Sequence, residues 1–271
     1  MSMQKALTIA GSDTSGGAGI QADLKTFQEL GVYGMTALTV VVAQDPHNDW
    51  FHAVYPHGLN VVEAQLETVL AGIGVDAVKT GMLGSTELIE LVGRKIDQYQ
   101  LKNVVIDPVM VCKGADEVLH PESAVALRDV LVPRATVVTP NLFEAAVLSG
   151  MPPLTTVDAM KEAAARIHER GAQYVLVKGG GKLQHEKAID VLYDGSTFDI
   201  LEGERIPTTY THGAGCTYSA AITAELAKGK SVRDAIRIAK AFITEAIRHS
   251  FPLNKYVGPT NHGAYRHSHV K

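Results

Sequence analysis

Short apolar runs alternate with longer amphipathic segments along most of this 271-residue chain, and this alternation restricts the fold more than any other feature. The short runs have the length of buried strands, and the longer segments have the 3.6-residue repeat of helices. The pattern predicts an α/β fold with a largely parallel sheet. The predicted strands are Ala6–Ala10, Met35–Ala43, Ala77–Thr80, Val104–Ile106, Thr136–Thr139 and Tyr174–Val177. The predicted helices cover approximately residues 18–30, 60–72, 85–99, 121–131, 142–149, 157–170, 214–228 and 232–249.

The remaining segments are read from their turn residues. Residues 188–201 predict a hairpin, and residues 44–57, which contain two prolines, predict a loop or flap. Glycine or proline marks most boundaries and no linker is visible, so we expect one domain over residues 1–271. A lid is expected around residues 110–118, in addition to the flap at 44–57.

Charge and cysteine content exclude several classes of function. The net charge is -4 and the basic residues form no run, which argues against binding to nucleic acid or to an anionic membrane. No signal peptide or membrane-spanning stretch is visible, so we expect a cytoplasmic protein with Cys112 and Cys216 reduced. The eleven histidines lack the spacing of a zinc site, and no metal of that kind is expected.

Polar or glycine residues follow six predicted strands. Ligands bind at the carboxyl ends of the strands in open α/β sheets, so these positions predict one long active-site edge. The alternative is that strands simply end in polar turns. The six strand ends are Gly11-Ser12-Asp13, Gln44-Asp45, Lys79-Thr80-Gly81-Met82, Asp107-Pro108, Thr139-Pro140-Asn141 and Lys178-Gly179-Gly180-Gly181.

The segment Thr211–Thr217 combines two glycines with a thiol at the start of a predicted helix. Gly213 and Gly215 allow close approach of the backbone to a bound group, and helix-starting N–H groups bind anions. Cys216 stands where the helix dipole favours a thiolate. An anion hole with its own base suits phosphoryl transfer to an alcohol, while a glycine-rich turn that merely begins a helix is the alternative.

Other segments are ambiguous when taken alone. Asp107 can hold Mg²⁺ through water, or it can form a turn. Glu144 can be a second carboxylate that organises Mg²⁺, or it can only cap the helix that begins after Asn141. Lys178 and its glycines can contact a nucleotide phosphate, although the chain has no Walker A motif. The glycines at 16–19 do not fit a dinucleotide fingerprint, which argues against an oxidoreductase.

Together these segments resemble the ribokinase-like superfamily, in the branch of hydroxymethylpyrimidine kinases and pyridoxal kinases. The resemblance runs from residue 6 to about residue 220, in the order of the family. Its motifs are Ala10-Gly11-Ser12-Asp13, Ser15-Gly16-Gly17-Ala18-Gly19-Ile20-Gln21-Ala22-Asp23, Lys79-Thr80-Gly81-Met82, Asp107-Pro108-Val109-Met110, Thr139-Pro140-Asn141-Leu142-Phe143-Glu144 and Thr211-His212-Gly213-Ala214-Gly215-Cys216.

The resemblance implies a three-layer sandwich with a central, mostly parallel sheet, a homodimer, and the use of ATP and Mg²⁺. It implies that the substrate, a heterocyclic alcohol, lies against Gly11, Asp23, Gln44, Met82 and Val109. It implies that Mg²⁺ is held by Asp107 and Glu144.

The resemblance also implies the catalytic and nucleotide residues. It assigns catalysis to Cys216, Cys112, Gly213 and Gly215. It assigns ATP binding to Asn141, Lys178, His212, Gly213 and Gly215. Cys216 stands where the sugar-kinase branch has an aspartate base, and Cys112 resembles the lid thiol of two-cysteine pyridoxal kinases, which acts in a relay or forms a hemithioacetal with pyridoxal.

The resemblance implies an ATP-dependent kinase for pyridoxal, pyridoxine or pyridoxamine that also accepts hydroxymethylpyrimidine. The sequence after Gln44, together with Cys112, departs from the thiamine-pathway enzymes, and Tyr210 replaces an acidic residue common before the anion-hole motif. One alternative is a bifunctional hydroxymethylpyrimidine/phosphomethylpyrimidine kinase. An alternative of another class is a non-catalytic vitamer or nucleotide sensor.

Overall fold

The computed structural model describes residues 3–110 and 121–269. Its strands are β1 Lys5–Asp13, β2 Tyr33–Asp45, β3 Phe51–Pro56, β4 Ala77–Thr80, β5 Val104–Ile106, β6 Val137–Val138, β7 Tyr174–Gly180, β8 Ala188–Tyr193 and β9 Phe198–Gly203. Its α-helices are α1 Gly19–Glu29, α2 Leu59–Leu70, α3 Thr86–Gln98, α4 Pro121–Ala126, α5 Leu142–Ser149, α6 Val157–His168, α7 Ala214–Ala227, α8 Val232–Arg248 and α9 Ala264–His269. The predicted α/β class is confirmed.

The chain forms two compact units. Unit 1 contains the chain up to Gly84 and from Ile206 onward, and unit 2 is Ser85–Arg205. The expectation of one domain stays a prediction. Residues 111–118 of the expected lid lie outside the described residues.

Unit 1 is built on strands in the order β3-β2-β1-β4. β1 pairs in parallel with β2 and β4, and β3 pairs antiparallel with β2. Because β1 and β2 are parallel, their carboxyl ends share one edge of the sheet. Asp13 and Gln44 are therefore close together, although 31 positions separate them.

Helix α7 is the central helix of unit 1. Every residue from Thr217 to Ala227 is buried, so this stretch of the helix has no solvent-exposed face. Ala220 and Ala224 belong to one core cluster with Ala6 of β1 and Phe27 of α1. These small side chains allow close approach of α7 to its neighbours, and this packing fixes the position of the helix N-terminus.

Unit 2 has parallel pairing of β5, β6 and β7, followed by antiparallel pairing of β7, β8 and β9. The predicted hairpin at 188–201 is present as β8 and β9. Asp107 follows β5, Thr139 follows β6 and Lys178 lies near the end of β7. The parallel strands therefore bring these three polar side chains to one edge.

Two local predictions are wrong. The segment 44–57 is not a plain loop, because β3 pairs with β2 from Val40↔Pro56 to Asp45↔Phe51 and makes the flap a hairpin. The predicted helix at 121–131 is α-helical only to Ala126, and Leu127–Leu131 forms a π-helical turn. In the part of the chain that the structure describes, no helix is both long and apolar enough to cross a bilayer.

Candidate active site

The N-terminus of α7, where the sequence predicts an anion hole, belongs to unit 1. Gly213 is its N-cap residue and has a φ of 76°, in the left-handed region that favours glycine. The first regular helical hydrogen bond runs from the Thr217 N–H to the Gly213 carbonyl, so the Gly215 N–H lies ahead of the helical ladder. Cys216 is half-buried in this first turn. The thiol therefore lies in the first turn of the helix, and its predicted role as a base beside an anion hole stays a prediction.

The glycine-rich loop after β1 packs directly against this turn. A Cβ on Gly213 would overlap the carbonyl oxygen of Gly17, and a Cβ on Gly17 would lie 2.5 Å from Cδ2 of His212. Gly19 is similarly close to the backbone of Gly11. The backbone at these glycines is in close contact, which explains why the sequence has so many of them in two distant segments.

Asp13 connects the two loops and was not among the predicted site residues. Its Oδ2 accepts hydrogen bonds from the N–H groups of Gly17 (3.2 Å) and Ala18 (2.8 Å) and from Nε2 of His212 (2.7 Å). Its Oδ1 accepts from the Ser15 N–H at 2.9 Å and from Nε2 of Gln44 at 2.7 Å. A polar residue at the end of β1 was the sequence signal that pointed to it.

The charge state of Asp13 follows from these contacts. Burial alone would raise the pKa of its carboxyl, but the hydrogen bond and charge of His212, with hydrogen bonds from Ser15 and Gln44, hold the pKa well below its usual range. Because a carboxylate only accepts, Nε2 of His212 carries a proton. That nitrogen is occupied by Asp13, and the nucleotide contact predicted for His212 stays a prediction.

The predicted substrate residues are divided between the two units. Gly11 and Met82 are neighbours, since a Cβ on Gly11 would lie 3.9 Å from Cβ of Met82, and Gln44 contacts Asp13. Val109 belongs to unit 2, where its N–H donates to the Asp107 carbonyl. The predictions for Gly11, Gln44, Met82 and Val109 stay predictions.

Asp23 is placed differently from the predicted pocket residue. Both of its carboxylate oxygens lie 2.9 Å from Nζ of Lys79, and Oδ2 accepts from Oγ1 of Thr8 at 2.6 Å. The side chains of Asp23 and Lys79 are both completely buried. The structure therefore gives Asp23 a structural ion pair in the core, because a carboxylate so deeply buried needs an opposite charge. The same holds for Lys79, which was predicted on the edge.

A second cluster of polar side chains lies in unit 2. Oδ1 of Asp107 accepts from Nζ of Lys178 at 3.0 Å and from Oγ1 of Thr139 at 3.2 Å. Asn141 caps α5 and forms a complete capping box with Glu144. Thr139 is a further residue of this cluster that was not among the predicted site residues, although it stands at a predicted strand end.

Glu144 has a perturbed charge state. Burial raises the pKa of its carboxyl to about 7, with the positive charge of Lys178 lowering it and the negative charge of Asp107 raising it. Both predicted readings of Glu144 are therefore compatible with the structure, since the carboxylate caps α5 and also interacts with Asp107.

This cluster fits a hydrated Mg²⁺ and a nucleotide phosphate. Mg²⁺ binds through one or two carboxylates and retains water. A cation beside Asp107 and Glu144 would offset the negative charge of Asp107, which adds to the effect of burial in raising the pKa of Glu144. Among residues 3–110 and 121–269 no group of three or more His, Cys, Asp or Glu side chains has a metal-binding arrangement. The positive charge of Lys178 lies beside Asp107, and its predicted contact with a phosphate stays a prediction. Cys112 lies outside the described residues.

Comparison with known proteins identifies relatives over nearly the full chain. The chain is 68% identical to the pyridoxine kinase of Bacillus subtilis over 266 residues, which covers 98% of both chains. It is 45% identical over 266 residues to the hydroxymethylpyrimidine/phosphomethylpyrimidine kinase of the same organism, covering 98% of this chain and 97% of that one. A crystal structure of an ADP complex of Bacillus subtilis pyridoxal kinase superimposes with a TM-score of 0.96 and 68% identity, covering 98% of this chain and 99% of that chain.

This structural match confirms the predicted fold class, a mostly parallel sheet flanked by helices. The family model described as phosphomethylpyrimidine kinase matches residues 13–261, which include Asp13, the unit 2 cluster and the start of α7. The chain belongs to the phosphomethylpyrimidine kinase family.

Proposed function

We propose that this chain is an ATP- and Mg²⁺-dependent kinase that phosphorylates the hydroxymethyl group of pyridoxal, pyridoxine and pyridoxamine. The observation that carries the proposal is the half-buried Cys216 thiol in the first turn of α7, directly after the left-handed Gly213. A base beside anion-binding N–H groups is what transfer of a phosphoryl group to an alcohol requires. The 68% identity to a pyridoxine kinase supports the choice of substrate.

In this proposal, unit 1 acts on the alcohol. Cys216 accepts the proton of the attacking hydroxyl, since a helix N-terminus favours the thiolate. The N–H groups of Gly213 and Gly215 stabilise the negative charge on the transferred group. Gly11, Gln44 and Met82 contact the heterocycle, with Gln44 oriented by Asp13. Val109 of unit 2 is proposed as a further contact.

Unit 2 handles the nucleotide. Asp107 and Glu144 are proposed to hold Mg²⁺, which when bound neutralises phosphate charge. Lys178 supplies a second positive charge to the phosphates, and Asn141 fixes the orientation of Glu144 through the capping box. Gly180, two residues after Lys178, is half-buried and a Cβ there would meet no atom within 4 Å, so this part of the backbone has room for a nucleotide.

A second candidate substrate is hydroxymethylpyrimidine, and the similarity to the hydroxymethylpyrimidine/phosphomethylpyrimidine kinase of Bacillus subtilis favours it as an additional acceptor. The identity of 45% to the bifunctional enzyme, against 68% to the pyridoxine kinase, places it second. Phosphorylation of the monophosphate would require extra positive charge near the acceptor.

Steady-state release of ADP with each acceptor tests the function. The purified chain is supplied with MgATP and with pyridoxal, pyridoxine, pyridoxamine, hydroxymethylpyrimidine or its monophosphate. We expect turnover on the three vitamers and on the pyrimidine alcohol. Absence of turnover on every vitamer would refute the proposal, and ligand binding without turnover would favour a sensor.

The proposed role of Cys112 is separable from that of Cys216, because only pyridoxal carries an aldehyde that can react with a thiol. We expect Cys112→Ala to reduce kcat/KM for pyridoxal at least about tenfold more than for pyridoxine. Equal losses on both substrates would instead indicate a packing role. The measurement is the ratio of the two specificity constants in the variant and in the wild type.

The resemblance to the family also supports a homodimer in the cytoplasm, and a single kinase domain with a flap at 44–57 and a lid at 110–118. Light scattering of the purified chain tests the dimer directly. A monomer across the micromolar range would contradict it.

A further inference from the structure

The buried carboxylate of Asp13 receives more hydrogen bonds than a structural cap needs. Its two oxygens accept from the Ser15, Gly17 and Ala18 N–H groups, from Oγ of Ser15 (2.8 and 3.0 Å), from Gln44 and from His212. These donors come from three segments: the loop after β1, the end of β2 and the turn before α7. One ionised side chain therefore connects all three.

The connection reaches two groups with proposed roles in the reaction. Nε2 of Gln44 donates to Oδ1 at 2.7 Å, and this fixes the side-chain amide so that its carbonyl oxygen points away from Asp13. Nε2 of His212 donates to Oδ2 at 2.7 Å, and His212 directly precedes Gly213.

The position of the His212 side chain affects the proposed anion hole, because hydrogen bonds restrain the backbone of the turn before α7. The His212 N–H donates to the Gly258 carbonyl at 3.1 Å, and the His212 carbonyl accepts from the Thr260 N–H at 3.3 Å. The backbone of Gly213 lies against the carbonyl of Gly17, whose own N–H is held by Asp13. A shift of His212 must therefore shift Gly213.

We infer that Asp13 is a positioning residue that aligns the amide of Gln44 and the α7 anion hole at the same time. This inference rests on the proposed function. Asp13 touches neither reacting group, and it acts through Gln44 and His212. The negative charge of Asp13 is essential for this positioning, because only an ionised carboxylate can accept several hydrogen bonds on both of its oxygens.

The main test is Asp13→Asn, an isosteric change that replaces one accepting carboxylate oxygen with a donating NH₂ group. We expect kcat/KM for pyridoxal to fall about 100-fold, the effect of losing one or two hydrogen bonds to a charged group. The affinity for ADP, measured by equilibrium binding, should stay within about threefold, since the proposed nucleotide cluster lies in unit 2.

Glu225→Gln is the matched control. Glu225 is a buried carboxylate of unit 1 that pairs with Lys228 near the opposite end of α7. We expect it to lower the melting temperature as Asp13→Asn does, but to leave kcat/KM within about twofold of wild type. Equal kinetic effects of the two variants would overturn the inference, since both would then reflect only lost stability.

A second pair of variants decides the matter if Asp13→Asn does not fold. His212→Gln keeps an N–H donor within reach of Oδ2, whereas His212→Met has a similar length and no donor. We expect Gln to retain most of kcat and Met to lose about 100-fold. Equal activity of the two would overturn the inference. Wild-type turnover on pyridoxal is measured first, so failure of the proposed function is recognised separately.

Discussion

Glu144 caps α5 and is proposed to hold Mg²⁺, and its burial perturbs the pKa of its carboxyl. In the folded chain burial raises the pKa of the Glu144 carboxyl to about 7 from the ordinary 4.5. The folded state therefore binds a proton more readily than the unfolded state between these two values. Stability from this group is present at low pH and is lost as the pH rises towards 7.

Glu144→Gln should remove this pH dependence and keep the capping box, since Gln also serves at that position. We expect the variant to gain stability relative to wild type, on the order of 1–2 kcal/mol, between pH 5 and pH 8. Thermal unfolding at a series of pH values measures the difference. The exposed Glu169→Gln is the control and should show none. A constant difference across this range would contradict the raised pKa.

At the scale of elements, the start of α7 depends on a glycine for two separate reasons. Gly213 and Gly229 both have positive φ values, 76° and 81°. An added Cβ at Gly229 would meet no atom within 4 Å, whereas at Gly213 it would overlap the Gly17 carbonyl. The two glycines flank α7. An alanine at Gly229 therefore measures the free-energy cost of a left-handed backbone alone, and an alanine at Gly213 adds the cost of steric overlap.

We therefore expect Gly229→Ala to cost about 1–2 kcal/mol, the price of a left-handed alanine, with turnover unchanged. Gly213→Ala should cost more and lower kcat at least tenfold, because the loop after β1 must move away from α7. Thermal unfolding and steady-state turnover measure both effects. Equal stability losses and equal turnover would show that the close approach of the two loops has no role.

The elements with strong local patterns could be predicted from the sequence. β4, β5 and α5 have the predicted bounds, because buried apolar runs and the Asn141 cap identify them locally. β3 could not be predicted, since it is an exposed strand that is defined by pairing with β2 rather than by its own apolar run. The flap therefore looked like a loop.

The candidate site was predictable where strand ends carry polar residues. Asp107 and Lys178 are joined by an ion pair, and Gln44 lies at the same edge as Asp13. The buried ion pair of Asp23 with Lys79 was not predicted, because 56 positions separate the two residues and no local pattern reveals their contact. The partnership of Asp13 with His212 spans 199 positions and was missed for the same reason.

At the scale of the whole molecule, the two units carry different parts of the proposed chemistry. Unit 1 holds Cys216, the anion hole proposed at the start of α7 and the Asp13 network, and unit 2 holds the Asp107, Glu144 and Lys178 cluster. The claim on which the account depends is that Cys216 receives the proton of the alcohol.

The most direct test is the turnover number of Cys216→Ala with saturating MgATP and pyridoxal. General-base catalysis contributes about 10²–10⁴-fold, so we expect kcat to fall by that factor while the affinity for ADP stays at the wild-type value. A variant that retains wild-type turnover would contradict the account, because the thiol at the start of α7 would then have no part in the reaction.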